Sequence, residues 1–338
     1  MIEFQSVVKE FPGGVRAVDD LELSVEEGEI SVLIGPSGCG KTTSMRLVNR
    51  LIPLTSGRII VDGRDNLEFA PEDLRRKIGY AIQQIGLFPH MTVAQNVAVV
   101  PRLLGWEERR IRSRVDALLE LVGLDPGVHR DVYPRQLSGG QQQRVGVARA
   151  LGADPPIMLM DEPFGAVDPI TRSVLQDEFL QIQATIAKTV VFVTHDIDEA
   201  IKMGDRIAVM RDGALVQYAT PDELLAQPAD DFVRAFVGGD RHLKRLGLVR
   251  VRDVMAAPDD HIADLDGETV LEHTSVRDAL SVLVGRGFDA TPVVDSEGRV
   301  CGVITLKGLR AAVRRAAEER ADEERAAEEG QPCVRNGR

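Results

Sequence analysis

A glycine-rich segment early in the chain has the residue types and spacing of a phosphate-binding loop. Residues 35–42 read GPSGCGKT and match the pattern GxxxxGK[ST]. Glycines allow backbone N–H groups to converge on phosphate oxygens, and the N-terminal end of a following helix favours negative charge. Lys41 has the reach for the β- and γ-phosphates of a nucleotide, and the Thr42 hydroxyl is suited to a magnesium ion. Cys39 is therefore expected to be a small loop residue and not a nucleophile.

Two adjacent carboxylates supply a second chemical signal. Asp161 and Glu162 follow the apolar run Ile157–Met160, which places them at the C-terminal edge of a buried strand, where open α/β sheets bind ligands. Asp161 fits magnesium coordination through water, and Glu162 is placed to polarise an attacking water. A helix cap or a surface loop is the structural alternative for such a pair. The phosphate-binding loop upstream favours the functional interpretation.

The elements that must position these residues follow from hydrophobic periodicity. Over residues 1–237, short apolar runs alternate with helix-like stretches, which predicts parallel strands covered by helices, an α/β fold. Ile30–Ile34 is the strand expected before the loop, and Lys41–Leu51 is the helix expected after it. The dipeptides Asp62-Gly63 and Asp212-Gly213 tolerate the positive φ angles of tight hairpin turns. Part of this domain is therefore expected to be antiparallel.

The pattern changes near residues 238–248, a polar and basic stretch that we interpret as a linker. A smaller α+β domain is predicted over residues 249–312. Its expected elements are a helix and two strands: Val276–Val284, Thr291–Val294 and Val300–Thr305. Residues 313–338 are rich in Glu, Arg and Ala without an apolar stripe, which predicts a solvated helix or a disordered tail.

Composition limits the classes of function. The 338 residues are enough for about two domains. A net charge of −12 argues against a general nucleic-acid binder, because phosphate neutralisation needs a basic surface. Three well-separated cysteines without a CxxC pair indicate reduced, cytosolic thiols. No secretory signal is expected, and the apolar runs are shorter than the roughly 20 residues of a membrane span.

Residues 137–141 read LSGGQ, and this string identifies residues 1–237 as resembling the ABC ATPase family. The resemblance implies a P-loop NTPase domain with an antiparallel β subdomain and a helical subdomain, using ATP and Mg²⁺. Taken singly, each of three implied site residues has a structural alternative. Gln83 would suit a polar loop residue, Phe11 a core aromatic and His195 a histidine at a strand end. Their agreement in register favours the family interpretation.

The resemblance assigns roles residue by residue. The implied catalytic residues are Glu162, His195, Gln83 and Lys41, and the implied magnesium ligands are Thr42, Gln83 and Asp161. The implied ATP-binding residues are Phe11, Gly35, Pro36, Ser37, Gly38, Cys39, Gly40, Lys41, Thr42, Thr43, Ser138, Gly139, Gly140, Gln141 and Asp168. Phe11 would stack on adenine, and Asp168 would link two sites across a dimer interface.

The family resemblance also implies partners. A head-to-tail homodimer would enclose two ATP molecules, with Ser138, Gly140 and Gln141 of one subunit completing the γ-phosphate site of the other. The dimer would bind two transmembrane permease subunits at the cytoplasmic face of the cell membrane, and an extracytoplasmic substrate-binding protein would deliver the solute. No nucleic-acid partner is expected.

Residues 78–93 resemble the segment of importer ATPases that receives a coupling helix from the permease. Leu87, Phe88 and Pro89 are the expected docking surface, and a plain core-and-turn role is the alternative. Residues 131–136 lack the acidic segment typical of exporters. Import is therefore the expected direction.

Residues 249–312 resemble a single cystathionine-β-synthase-type (CBS) domain that opens with Val251–Met255. An ABC ATPase with this domain resembles the importer subunits for glycine betaine, choline, carnitine or proline-type osmoprotectants. The open alternatives are an importer for another small solute, a soluble non-transport ABC ATPase and a nucleotide sensor with a degenerate ATPase. The basic stretch Arg241–Arg252 and the Glu-rich tail Glu318–Glu329 are expected to attract each other or an anionic membrane surface, more weakly at high salt. A regulatory nucleotide in the cleft of the CBS domain and an inert tail are the alternatives.

Overall fold

The computed structural model describes residues 1–81, 86–165, 167–257 and 269–309. The chain forms two compact units, Met1–Val237 and Gly238–Arg338, and each described part has its own hydrophobic core. Gln83, Ala166 and the predicted tail from residue 313 onward lie outside the described residues. None of the helices within the described ranges is long and apolar enough to cross a membrane.

The first unit contains two sheets and the helices that cover them. Its strands are β1 Ile2–Phe11, β2 Val15–Val25, β3 Ile30–Ile34, β4 Ser56–Val61, β5 Arg64–Asp65, β6 Ile78–Ala81, β7 Ile157–Asp161, β8 Thr189–Val193, β9 Arg206–Arg211 and β10 Ala214–Ala219. Its helices are α1 Lys41–Val48, α2 Pro71–Lys77, α3 Val93–Val97, α4 Val99–Leu103, α5 Glu108–Leu121, α6 Pro126–His129, α7 Gly139–Ala150, α8 Pro169–Ile186, α9 Ile197–Met203, α10 Pro221–Ala226 and α11 Asp231–Val237.

The larger sheet has the strand order β10-β9-β3-β8-β7-β6 and is parallel except for β10. Every residue of β3, β7 and β8 is buried. Continuous burial is expected for parallel strands that are covered on both faces. The prediction of an α/β fold is confirmed.

The smaller sheet, β2-β1-β4-β5, is antiparallel. The turn between β4 and β5 has φ angles of 53° at Asp62 and 73° at Gly63, and the turn between β9 and β10 has 51° at Asp212 and 87° at Gly213. Positive φ at both central residues matches the twist of the flanking strands. Both predicted hairpins, and the antiparallel part of the domain, are present.

Helix α1 ends at Val48, three residues before the predicted end. The N–H of Leu51 donates to the Arg46 carbonyl at 2.9 Å, and the N–H of Arg50 donates to the Leu47 carbonyl at 3.1 Å. Arg50 has a φ of 49°. This left-handed turn satisfies the terminal carbonyls and stops the helix. It is a tertiary detail that an apolar period does not reveal.

The second unit contains α12 Arg241–Leu246, β11 Val270–Leu271, α13 Val276–Arg286, β12 Ala290–Val294 and β13 Val300–Thr305. Its sheet has the order β11-β12-β13, with β12 and β13 antiparallel. The predicted helix and both predicted strands are present. The sequence interpretation missed β11, and the proposed linker 238–248 contains α12, which packs on α13.

Candidate nucleotide site

The phosphate-binding loop joins β3 to α1 in a space that only glycine fits at two positions. A Cβ on Gly35 would lie 2.1 Å from the Met210 carbonyl oxygen, and a Cβ on Gly40 would lie 2.4 Å from the Ala17 carbonyl oxygen. Gly40 also has a φ of 106°, which L side chains rarely adopt. The backbone carbonyls of the neighbouring strands therefore leave no room for a side chain at these two positions. Pro36, Ser37 and Gly38, between them, are exposed.

Lys41 lies over this loop. Its Nζ donates hydrogen bonds to the carbonyls of Gly35 at 2.7 Å and Pro36 at 3.1 Å. Cys39 is buried in the core, with its Sγ 3.6 Å from the Lys41 Nζ. The position of Cys39 agrees with its expected role as a small loop residue. The ammonium group is thus held at the loop, where phosphates would lie.

Thr42 connects the loop to the carboxyl end of β7. Its Oγ1 donates to Asp161 Oδ1 at 3.0 Å. Burial raises the pKa of Asp161, and the neighbouring Glu162 charge raises it further, whereas the hydrogen bond from Thr42 lowers it. A hydroxyl and a carboxylate side by side are the hard oxygen ligands that Mg²⁺ prefers. The described part of the predicted magnesium site therefore fits the ion.

Glu162 and His195 meet directly. The Nδ1 of His195 lies 3.1 Å from Glu162 Oε1. The two residues follow neighbouring parallel strands, because Asp161 at the end of β7 is the register partner of Val193 at the end of β8. Glu162 has a φ of 45°, which is uncommon for a non-glycine residue. Such strained residues cluster at active sites, where the surrounding structure holds them in place.

The LSGGQ segment, residues 137–141, contains the start of helix α7. Ser138 caps α7: its Oγ accepts from the Gln141 N–H at 3.3 Å, and Gln141 Oε1 accepts from the Ser138 N–H at 3.0 Å. This reciprocal capping box fixes the first turn and leaves Ser138 and Gly139 exposed. Within the part of the chain that the structure describes, no hydrogen bond or ion pair joins Ser138 or Gln141 to Lys41 or Thr42. The two predicted phosphate-binding segments, the Lys41 loop and the start of α7, are therefore held in shape by separate sets of hydrogen bonds.

Phe11 and Asp168 are two further predicted site residues, and each contacts residues close to it in the sequence. Phe11 ends β1 opposite Val15, and its ring is 37% exposed, with the Lys9 ammonium 4.8 Å from the ring centroid. Asp168 caps α8 by accepting from the Thr171 N–H at 3.1 Å, and this hydrogen bond lowers the pKa of Asp168. An exposed aromatic face suits adenine stacking. The dimer role of Asp168 stays a prediction.

A groove of about 370 Å³ lies beside the predicted docking segment. Phe88, Val99 and Val100 give it apolar walls, and Arg149 adds a cation whose Nη1 donates to the Gly86 carbonyl at 2.6 Å. Burial lowers the pKa of Arg149. Of the three residues predicted to form a docking surface, Phe88 lines this groove.

Asn96 holds the docking segment in shape, a role that the sequence interpretation missed. It is fully buried, and its Oδ1 accepts from the Phe88 N–H at 2.7 Å. Its Nδ2 donates to the carbonyls of Phe88, Met91 and Thr92 at 3.2, 3.1 and 3.0 Å. The available signal was an amide within the short apolar helix VAQNV, because buried polar groups must find partners.

Comparisons with known proteins give matches in both units. A family model described as ABC transporter matches residues 18–165, and one described as CBS domain matches residues 251–315. The osmoprotectant import ATP-binding protein OsmV of Salmonella typhimurium is 48% identical over 92% of this chain and 81% of its own length. The glycine betaine/carnitine/choline transport ATP-binding protein OpuCA of Bacillus subtilis is 47% identical over 91% of this chain and 79% of its own length.

A solved structure gives a further match. The dimeric structure of a post-hydrolysis state of the ATP-binding cassette MJ0796, bound to ADP and Pi, has a TM-score of 0.58 and 33% identity with this chain. The match covers 65% of this chain and 98% of that one. The likeness therefore concerns a region about the size of the first unit.

Proposed function

This chain belongs to the family of ABC transporter ATP-binding subunits, and we propose that it hydrolyses ATP to drive the import of quaternary amine osmoprotectants. The family membership confirms the resemblance found in the sequence for both the ABC and the CBS regions. Glycine betaine, choline, carnitine and proline-type solutes are the proposed cargo, supported by the names of relatives at 47% and 48% identity. The observation that carries the ATPase chemistry is the Glu162–His195 contact of 3.1 Å beside the loop of Lys41.

The proposed mechanism is in-line attack of water on the γ-phosphorus of ATP, which forms a new P–O bond as the bond to the β–γ bridging oxygen breaks, so that ADP and inorganic phosphate leave. Backbone N–H groups of the loop and the Lys41 ammonium bind the β- and γ-phosphates of ATP. Glu162 orients and polarises the water, and His195, held by Glu162, contacts the γ-phosphate. Thr42 and Asp161 would hold Mg²⁺, which neutralises developing charge on the phosphoryl oxygens. Gln83 is the proposed further ligand and lies outside the described residues.

The proposed catalytic unit is a symmetric dimer. Ser138, Gly140 and Gln141 stand at an exposed helix start, where they are available to the γ-phosphate of a partner subunit. The dimeric structure among the solved matches supports this arrangement. Asp168 is proposed to link the two sites across the interface.

The groove beside Phe88 is the proposed docking site for a permease helix. Its apolar walls and its arginine suit an amphipathic helix that carries a carboxylate. Two permease subunits would place the ATPase dimer at the cytoplasmic face of the membrane. An extracytoplasmic substrate-binding protein would supply the solute.

A regulatory nucleotide or an anionic membrane surface is proposed for the CBS domain. Several cations of the Arg241–Arg252 stretch are engaged within their own unit. Lys244 is buried with its Nζ 3.5 Å from Asp240 Oδ1, and Arg250 Nη1 donates to the His273 carbonyl at 3.2 Å. The burial and pairing of Lys244 reduce the charge available to a membrane and weaken that alternative.

The test is transport by the reconstituted complex. The wild type and Glu162→Gln are assembled with permease subunits and the binding protein in vesicles, and the uptake of labelled glycine betaine, choline, carnitine and proline is followed separately at low and high salt. We expect ATP-dependent uptake by the wild type and none by the variant. ATP hydrolysis without uptake of betaine, choline, carnitine or proline would reject the cargo and leave the ATPase function standing.

A further inference from the structure

Two loops of the candidate site lead straight into helices. Val167 and Asp168 precede α8, which Asp168 caps, and His195 precedes α9, which Asp196 caps. Asp196 Oδ1 accepts from the N–H groups of Asp198 at 2.9 Å and Glu199 at 3.2 Å. Its second oxygen, Oδ2, takes no part in these capping hydrogen bonds and can therefore form an ion pair with a side chain of a neighbouring helix.

Arg172, in the first turns of α8, reaches both loops. Its Nη2 donates to the Val167 carbonyl at 3.0 Å, and its Nη1 lies 3.6 Å from Asp196 Oδ2. The side chain is 28% exposed, so water screens these contacts only in part. A planar guanidinium presents several donors in a fixed geometry, which suits a bridge between a carbonyl and a carboxylate.

We propose that Arg172 is a positioning residue that sets the place of His195 relative to Glu162 and to the loop of Asp168. The inference rests on the proposed roles of Glu162 and His195 in hydrolysis. Arg172 bonds to the loop that follows Glu162 and pairs with the residue that follows His195. Displacing either loop changes the 3.1 Å contact between the two side chains, and misplacement of about 1 Å lowers rates severely.

Other contacts hold α8 and α9 together without involving the loops. Gln176 donates to Glu199 Oε1 at 3.0 Å, and Lys202 Nζ donates to the Ser173 carbonyl at 3.2 Å and lies 2.8 Å from Asp177 Oδ1. These contacts lie further along both helices. A variant at Lys202 therefore loosens helix packing alone, whereas a variant at Arg172 also releases the loops.

The experiment compares Arg172→Gln with two matched controls in the full-length chain. Lys202→Gln removes a neighbouring contact between α8 and α9. Arg114→Gln removes an arginine that is 29% exposed and bonds to the Leu151 carbonyl at 3.0 Å and to Asp154 at 3.1 Å. Asp154 comes before the start of β7, whereas Asp161 and Glu162 stand at the other end of that strand. ATP turnover, the ATP dissociation constant and the melting temperature are measured for each chain.

We expect Arg172→Gln to lower kcat at least about tenfold and to change the ATP dissociation constant less than about twofold. Both controls should keep the wild-type kcat. Asp196→Asn keeps a capping oxygen and removes the carboxylate charge, so it should slow hydrolysis in the same way. The double variant should be about as slow as Arg172→Gln alone, because both substitutions break one contact.

Three outcomes would overturn the inference: equal kcat for Arg172→Gln and Lys202→Gln, a loss of ATP binding that accounts for the slower rate, or additive effects of the two substitutions. If Arg172→Gln does not fold, Asp196→Asn decides the question by the same comparison. Glu162→Gln distinguishes a failure of the proposed hydrolysis mechanism from a failure of the positioning role of Arg172. Full activity of Glu162→Gln rejects the proposed mechanism, whereas loss of activity there with normal activity of Arg172→Gln rejects only the positioning role.

Discussion

The loop around Lys41 and the start of helix α7 are both rich in glycine, yet their polar side chains make different contacts. At the loop, Thr42 bonds to Asp161, whose neighbour Glu162 meets His195. At α7, Ser138 and Gln141 bond to each other and leave the helix start exposed. The first group is assembled within one chain. The second is held in shape by its own capping box, and we expect it to bind phosphate only opposite another molecule, as in the proposed dimer.

The largest effect is expected from filling the crowded loop. In Gly35→Ala, the new Cβ would approach the Met210 carbonyl oxygen to 2.1 Å, so the loop must shift. We expect ATP affinity to fall roughly 100-fold, corresponding to about 3 kcal/mol of strain, measured by titration with a fluorescent nucleotide. Gly285→Ala is the control, because a Cβ there meets nothing within 4 Å. Unchanged affinity of Gly35→Ala would mean that the loop adapts freely.

Mixing two inactive chains tests whether the two regions act across subunits. Lys41→Ala removes the loop cation, and Gly139→Arg adds a long side chain where a Cβ meets nothing within 4 Å, so the monomer can accommodate it. Random assortment makes half of all dimers mixed, and each mixed dimer contains one intact composite site of two, so we expect roughly a quarter of wild-type ATP turnover from an equimolar mixture. No recovery, with mixed dimers shown by pull-down of differently tagged chains, would contradict the cross-subunit site.

Loss of the buried amide of Asn96, in helix α3, should lower the stability of the protein without affecting nucleotide binding. Asn96→Ala leaves the Phe88 N–H and three carbonyls without their side-chain partner. We expect the free energy of unfolding to fall by about 1 to 3 kcal/mol, measured by urea denaturation, with ATP affinity at the wild-type level. A drop in ATP affinity would show that the two regions are coupled within one chain.

The smallest effect is expected at Glu199, next to the His195 loop. Burial raises the pKa of Glu199, and the Asp196 charge adds to this, against hydrogen bonds from Thr194 and Gln176 and the attraction of Arg172. The unfolded carboxyl ionises first as pH rises, so the native state loses stability between the ordinary pKa of 4.5 and the raised folded value. Glu199→Gln should remove this loss.

Thermal melts across this pH range provide the measurement for Glu199. Glu199→Gln should match or fall below the wild type in melting temperature at low pH and gain relative to it as pH rises. A stability difference that does not vary with pH would show that the carboxyl stays at its ordinary pKa. The matched control is Glu223→Gln, because hydrogen bonds from Thr220 lower the pKa of Glu223 and its pH dependence has the opposite sign.

Local signals in the sequence were enough to find the elements that carry the site. The strand Ile30–Ile34, the loop glycines and both hairpin dipeptides appear where they were expected. Each of these features depends on residues within about ten positions, through backbone sterics and periodicity. The capping pair Ser138 and Gln141 has the same local origin.

Contacts between distant residues were not available from such signals. Glu162 and His195 are brought together because β7 and β8 are neighbours in register, and Arg172 meets Asp196 because the following helices pack side by side. Strand order depends on burial of whole apolar faces, which single motifs do not report. The short helix α12 and the strand β11 were missed for a related reason, because tertiary packing selects such short elements.

The sequence by itself determined the family, the phosphate-binding loop pattern and the proposed catalytic carboxylate, because these require particular residue types at fixed spacing. Tertiary structure decided the 3.1 Å pairing of Glu162 with His195, the support of the docking segment by Asn96 and the bridge made by Arg172. The physical reason is the sequence separation over which each kind of interaction acts. Backbone geometry and capping act over a few residues, whereas strand register and helix packing bring together side chains that are far apart in the chain.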